Sequence, residues 1–172
     1  MIKLIGAMLI LFAGTMIGFQ QAAKFAARPR QLRQISHALQ RLETEIGYGN
    51  TPLPEALTRT AQVVPAPVAE LFRQAAGEIS RTNELSFREA WENAMHAGFG
   101  ATALREGEQA VLLRLGSSLG ISDREDQMKH LRLALLQLKA EEDNAKEEQG
   151  RYETMWRSLG VLIAVLVVIL MV

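Results

Sequence analysis

The chain has 172 residues, which is enough for one domain, or for two membrane spans and one domain of roughly a hundred residues. Its 19 Lys and Arg residues balance 19 Asp and Glu residues, so no excess of positive charge favours nucleic acid as a partner. Cysteine is absent, which excludes disulfides and thiolate metal sites. Long uncharged runs occur only at the two ends, so the compartment must be inferred from those ends.

Residues 1–23 form the first candidate transmembrane helix. No charge interrupts residues 4–23, and about 20 residues at roughly 1.5 Å each cover the hydrocarbon layer of a membrane, about 30 Å. A cleaved signal peptide is the alternative, but Lys3 is the only charge before the apolar run and no clear A-x-A cleavage site follows. Cations follow the run at once and mark the cytoplasmic side of the span: Lys24, Arg28, Arg30 and Arg33.

Residues 150–172 form a second candidate, a membrane-proximal segment followed by a transmembrane helix. Residues 158–172 carry no charge, but this length lies between that of a buried core helix and that of a full span. Arg151 and Arg157 flank the run and can extend toward lipid headgroups. The alternative is a hydrophobic terminal helix that folds back on the domain. Because both sets of cations face the middle of the chain, residues 24–149 are predicted to be a cytoplasmic domain.

The middle of the chain predicts helices in succession. A stripe of apolar residues at spacings of three and four ends at Gly47 and consists of Leu32, Ile35, Leu39, Leu42 and Ile46. Thr51 and Pro52 then predict the N-cap and the first position of a short second helix. A third stripe occupies residues 68–79.

The remaining helices begin with capping signatures or follow glycines. Ser86 with Glu89 is a capping box, and it opens a helix whose buried face includes Trp91. Residues 106–118 predict a fifth helix, and a second capping box at Ser122 opens the last one. No segment alternates apolar and polar residues for long enough to predict a strand. The sequence therefore predicts an all-α fold, a six-helix antiparallel bundle flanked by an N-terminal and a C-terminal transmembrane helix.

The last helix loses its apolar stripe after Leu138 and becomes rich in charge. The charged residues are Glu141, Glu142, Asp143, Lys146, Glu147 and Glu148. Such a segment is either a binding surface or an exposed charged face near the membrane, and the second is the commoner. We therefore predict that the helix leaves the bundle here and continues as a stalk.

The sequence offers no starting point for catalysis. It contains no glycine-rich phosphate loop, no HExxH and no GxSxG. Asp126 and His130 are four residues apart on one helix, which would make half of a metal site, but an ordinary ion pair is the simpler interpretation. A membrane-bound metal-dependent hydrolase and a transporter are the competing classes, although the spans lack the charge that marks a transport pathway. We predict no enzyme activity, no cofactor and no metal.

Several segments together resemble the stage III sporulation protein AB family. They are residues 1–6, the basic joint at residues 28–33, residues 42–46 and residues 119–127. Within this resemblance, residues 48–57 and residues 85–91 are similar to the two helix-turn signatures of the F domain in the platform proteins of type II secretion systems and type IV pili. The order and separation of these segments, together with the apolar ends, carry the resemblance over nearly the whole chain.

The resemblance implies a non-catalytic scaffold, required for sporulation, in the secretion-like channel between mother cell and forespore. It implies an F-domain-like bundle on the mother-cell side, anchored in the outer forespore membrane, with the other proteins of the complex and a cytoplasmic ATPase as partners. One F-type domain and two spans are fewer than a full platform protein has, which leaves self-association open. The alternative is a membrane-anchored platform protein of another type II secretion or type IV pilus-like machine.

The candidate partner contact is the tight turn after the first helix, with Tyr48, Asn50 and Glu55. Polar and aromatic groups held on a rigid turn are often functional. The alternative for Tyr48 is that its ring packs over the end of the helix.

Overall fold

The computed structural model describes residues 26–49, 51–81, 85–120 and 123–171, without the side chains at residues 153–154, 156–158 and 160–171. All regular structure in these ranges is α-helical. We name the helices in chain order α1 (26–47), α2 (Leu53–Gln62), α3 (Val68–Arg81), α4 (Phe87–Phe99), α5 (Glu106–Leu119) and α6 (Arg124–Met171). The predicted all-α fold with six helices is confirmed.

Helices α1 and α6 lie side by side and run in opposite directions. Arg33 in the first half of α1 contacts Glu142, and Glu43 near its end contacts Arg132. Between them α2 packs on α3, α3 on α4, α4 on α5, and α5 on α6. With 48 residues, α6 is roughly 70 Å long at about 1.5 Å per residue, which is about twice the length of the described part of α1.

The core forms around Trp91 of α4, as the sequence predicts. Its indole is fully buried, lies edge-on to Phe72 at 5.8 Å between ring centroids and stacks on Phe87 at 5.9 Å. The indole Nε1 donates a hydrogen bond of 2.8 Å to the carbonyl of Leu112. A Cβ at Gly116 would lie 2.0 Å from the indole, so α5 approaches Trp91 this closely only because residue 116 has no side chain.

The apolar stripe of α1 is buried along its whole length. Leu32, Ile35, Leu39 and Leu42 have no exposed surface, and Ile46 is 8% exposed. Burying such side chains stabilises the fold by about 1.5–3 kcal/mol each. The spacing of three and four therefore identifies the inner face of this helix correctly.

The starts of the helices agree with the sequence at α4 and differ at α2 and α6. At α4, Ser86 accepts from the Glu89 amide, and the Glu89 carboxylate accepts from the Ser86 amide, so the capping box is confirmed. At α2, Thr51 does not cap the helix, because its hydroxyl donates to the buried Glu45 carboxylate. At α6, Ser122 lies outside the described residues, and Asp123 caps the helix by accepting from the Asp126 amide at 2.9 Å.

The prediction of a fully exposed charged face on α6 is wrong for Glu142. Its carboxylate is 3% exposed, and Ala145 beyond it is also in the core. The carboxylate can be buried because three cations surround it and offset the cost of removing its charge from water. They are Arg33, Lys139 and Lys146. Helix α6 thus remains packed on the bundle to at least residue 145.

The predicted spans fall largely outside what the structure describes. Residues 1–23 are outside it altogether, and at residues 160–171 it describes a helical backbone without side chains. Across the described part of the chain, no helix is long and apolar enough to cross a membrane. The two flanking transmembrane helices therefore remain predictions.

Candidate partner-binding surface

The end of α1 is fixed by an arginine from α6. The last carbonyls of a helix have no partner within the helix, and here Arg124 supplies one. Its Nε donates to the carbonyl of Ile46 at 2.8 Å, and its Nη2 donates to the carbonyl of Gly47. A cation at this position also interacts favourably with the helix dipole. The turn after α1 is therefore attached to the start of α6.

A buried carboxylate attaches the same turn to α2. Glu45 is 5% exposed and accepts hydrogen bonds from Thr51 at 2.9 Å and Arg59 at 3.1 Å, and it pairs with Arg41 at 2.5 Å. The hydrogen bond from Thr51, with the two arginines, lowers the pKa of Glu45 against the opposing effect of burial. A Cβ at Gly49 would lie 2.8 Å from the backbone carbonyl of Glu45, so this compact turn needs glycine there.

Tyr48 projects from this rigid turn into solvent. Its side chain is 85% exposed, so the alternative that it packs over the end of the helix is wrong. Tyr48 forms one wall of an open groove of about 840 Å³, whose other wall is the first part of α6. Two apolar residues of α6 line it, Leu133 at 47% and Leu136 at 69% exposure.

Of the other two candidate contact residues, the structure places one, Glu55, away from this groove. The other, Asn50, lies outside the described residues. Glu55 is on the first turn of α2, where it pairs with Arg59 at 2.7 Å, and it does not line the groove. Leu133 and Leu136 line the groove with Tyr48, and both could have been recognised from the sequence. They are apolar residues that lie off the inward-facing stripe of Leu131, Leu135 and Leu138.

The cations predicted to flank the membrane have different environments. Lys24 and the side chain of Arg157 lie outside the described residues. Arg30 is exposed, and Arg33 binds Glu142. Arg151 is 82% exposed and lies 3.9 Å from Glu147. Among those that the structure describes, Arg28 alone is buried.

Arg28 is buried in a cluster of carboxylates that joins three helices. Its side chain is 8% exposed and contacts Glu108 of α5 at 2.5 Å, Glu141 of α6 at 3.0 Å and Glu148 of α6 at 3.1 Å. Arg105 also binds Glu148, which lowers the pKa of that carboxyl. The arrangement holds the start of α1 beside residue 148 of α6.

Glu142, the residue after Glu141, forms a second charged cluster. Burial alone would raise the pKa of Glu142, but hydrogen bonds from Lys146, Lys139 and Arg33 outweigh it and lower the pKa to about 2. Glu142 is therefore ionised at neutral pH and serves to hold α1 against α6.

The described side chains do not assemble reactive or metal-binding chemistry. Asp126 and His130, the half-site considered from the sequence, are both exposed on the first turns of α6. Within the described ranges no three His, Asp or Glu side chains are grouped closely enough to hold a metal ion. The groove and the charges along its edge are therefore the candidate surface for binding another molecule.

Comparisons with known proteins extend over the whole chain. The family model of stage III sporulation protein AB matches residues 3–172. Stage III sporulation protein AB of Bacillus subtilis (strain 168) is 40% identical over 171 residues, which are 99% of each chain. A solved structure of stage III sporulation protein AB matches with a TM-score of 0.69 and 39% identity, covering 73% of this chain and 98% of that one. The similarity thus includes the helical domain and both apolar ends.

Proposed function

The chain belongs to the stage III sporulation protein AB family, and from this premise we propose that it is a non-catalytic, membrane-anchored scaffold of the sporulation machinery. In this role it couples a cytoplasmic ATPase to the secretion-like channel between mother cell and forespore. Its helical domain faces the mother-cell cytoplasm, and its two apolar ends anchor it in the outer forespore membrane.

One observation supports the anchoring: the described residues nearest in sequence to the two apolar runs lie at the same end of the bundle. The Arg28 cluster holds the start of α1 against Glu148 of α6, and the uncharged residues 4–23 and 158–172 lie just before and just after these points in the sequence. Two apolar helices that leave a domain side by side suit a single membrane with the domain on one face. The cations next to both ends favour the cytoplasmic face.

The use of the buried charges supports a scaffold rather than an enzyme. Each buried ionic side chain named above binds groups on a neighbouring helix: Arg28 and Glu108, Glu45, and Glu142. None is left facing a cleft, as a catalytic acid or base would be. A protein built in this way acts on other molecules through its outer surfaces.

Reporter fusions test the anchoring. We expect an alkaline phosphatase fused to either terminus to be active, because both termini lie outside the cytoplasm, and the same reporter inserted after the exposed Ala66 to be inactive. An active cytoplasmic reporter at the C-terminus would show that residues 158–172 do not cross the membrane.

Co-purification tests the coupling. From sporulating cells, the tagged full-length chain is expected to retain the sporulation ATPase and the channel proteins after mild detergent extraction. Two results together would overturn the proposed function: the purified chain retains neither the ATPase nor the channel proteins, and a strain that lacks the chain still forms spores.

A further inference from the structure

We propose that the groove between Tyr48 and α6 binds an amphipathic helix of a cytoplasmic partner protein. This helix would present two apolar side chains to Leu133 and Leu136 and a Lys or Arg to Glu125 and Asp126. The inference rests on the proposed function, which places the helical domain, and therefore its partner, in the cytoplasm.

The apolar part of the groove favours a protein segment. Single exposed apolar residues are ordinary on protein surfaces, but Tyr48, Leu133 and Leu136 border one groove, and such grouping marks interaction sites. The two leucines lie three residues apart, so they present one short ridge on α6. The turn that carries Tyr48 is fixed by Arg124 and Glu45. Binding a partner at Tyr48 therefore loses little conformational entropy of the backbone in this turn.

The charges along the groove specify the rest of the partner. Arg124 binds the carbonyls at the end of α1, and Arg132 binds Glu43. In the part of the chain that the structure describes, Glu125, Asp126 and Lys129 have no ion-pair partner. From the start of α6 the groove is therefore acidic, then basic at Lys129, then apolar. A complementary helix carries a basic residue, an acidic residue about one turn further, and then its apolar pair.

The position of the groove disfavours lipid as its occupant. The groove lies at the end of α1, and residue 26 lies at the opposite end, where the apolar segment joins. Residues 26–47 span roughly 33 Å at about 1.5 Å per residue. A headgroup at the anchored end of the bundle cannot reach Tyr48.

The charge pattern disfavours a second copy of the chain. Two copies anchored in one membrane would place their α6 helices parallel, with the same residues opposite each other. Helical spacing puts Lys129, Leu133, Leu136 and Glu147 on one face, so each Lys129 and each Glu147 would meet its own counterpart. Like charges in contact destabilise a pair.

A photo-crosslinker in the full-length chain tests the chemistry of the partner. We would place p-benzoylphenylalanine at position 136 in sporulating cells, and at position 63 as the control, because Val63 is also an exposed apolar residue at 55% exposure and lies outside the groove. We expect position 136, and not position 63, to crosslink to a segment of another protein with the basic, acidic and apolar order given above. Crosslinks to a second copy, to lipid, or to a segment without this order would overturn the proposal.

Charge reversal tests the acidic end. Glu125→Lys combined with Asp126→Lys is expected to lower the crosslink yield at position 136 at least about tenfold. The control is Glu106→Lys. Glu106 is an exposed acidic residue on the first turn of α5, so its charge interacts with the N-terminal end of a helix dipole, as those of Glu125 and Asp126 do on α6. An unchanged yield in the double variant, or an equal loss in the control, contradicts the assignment.

Replacing the two leucines of the groove tests this inference separately from the proposed function. Leu133→Asp with Leu136→Asp is expected to lower partner retention and spore yield at least about tenfold, with unchanged circular dichroism, while Val63→Asp leaves both unchanged. If the double variant assembles and sporulates normally but deletion of the chain abolishes sporulation, the groove proposal fails and the scaffold function stands. If deletion has no effect, the proposed function fails.

Discussion

The centre of the bundle around Trp91 and the end of the bundle around Arg28, here called the Arg28 end, are both buried, but different forces hold them. At the centre, Trp91 fits between Phe72 and Phe87 and against the bare backbone of Gly116. At the Arg28 end, the guanidinium of Arg28 has three carboxylates around it. The centre depends on volume and shape, whereas the Arg28 end depends on every charge having a partner. The two regions should therefore fail in different ways when residues are replaced.

The largest effect is expected from Trp91→Ala, because it removes the largest fully buried side chain. Loss of the ring leaves a cavity and removes the hydrogen bond to Leu112, and replacements of this kind cost about 3–5 kcal/mol. The free energy of unfolding of the detergent-solubilised full-length protein, from urea titration followed by circular dichroism, measures it. A loss below about 1 kcal/mol would show that shape does not control the centre.

A double-mutant cycle on Arg28 and Glu108 tests the opposite rule at the Arg28 end. Arg28→Met is expected to cost about 3 kcal/mol, because it leaves the Glu108 carboxylate buried and without its guanidinium. Arg28→Met with Glu108→Leu should cost clearly less than the sum of the two single changes, because no buried charge is then left without a partner: Glu141 is solvent-accessible and Glu148 keeps Arg105. Additive losses in the same urea titration would mean that charge pairing contributes little here.

The sequence predicted the centre better than the Arg28 end, for a physical reason. Apolar spacing is a local property, so the stripe of α1 and the burial of Trp91 could be inferred without knowing which helices touch. The partners of Arg28 lie 80, 113 and 120 residues away in the chain. Which charges meet at that distance depends on how α1 is aligned with α6, and local spacing does not contain this alignment.

The same reason explains what could be predicted of the candidate surface. Tyr48 was identified because a tight turn is a local feature. Leu133 and Leu136 become part of the same surface only when α6 lies beside the end of α1. Glu142 was assigned to an exposed face because its burial depends on how α1 is aligned with α6. Its neighbours Lys139 and Lys146 lie within one turn on the same helix and could be recognised from spacing, but the contact with Arg33 of α1 could not.

A pH titration sharpens the comparison, because the charged region responds to protons and the centre does not. The pKa of Glu142 is lowered to about 2 from its ordinary value near 4.5. A carboxyl with a lowered pKa contributes stability at pH values above about 4.5, and this contribution is lost as the pH falls toward about 2. We expect Glu142→Gln to be roughly 2 kcal/mol less stable than the parent at pH 7.

That difference should shrink steadily below about pH 4.5. Glu45, Glu89 and Glu148 also have lowered pKa values, so the parent alone loses stability in acid for several reasons. The difference between the two proteins isolates Glu142. A difference that stays constant from pH 7 to pH 3 would contradict the role given to this carboxylate.

The smallest effects are expected at two helix caps. One caps a helix of the centre, and the other caps a helix of the Arg28 end. Ser86 caps α4, which carries Trp91, and Asp123 caps α6, which carries the partners of Arg28. Ser86→Ala and Asp123→Ala should each cost about 1 kcal/mol, because each leaves an amide at the start of a helix without an acceptor. Asp123 is an acidic residue at a helix N-terminus, where the helix dipole favours negative charge, so its contribution should weaken with added salt, whereas that of the uncharged Ser86 hydroxyl should not. Unfolding of both variants at low salt and in about 1 M salt measures this difference, and equal salt dependence would mean that the charge of Asp123 adds nothing to its hydrogen bond.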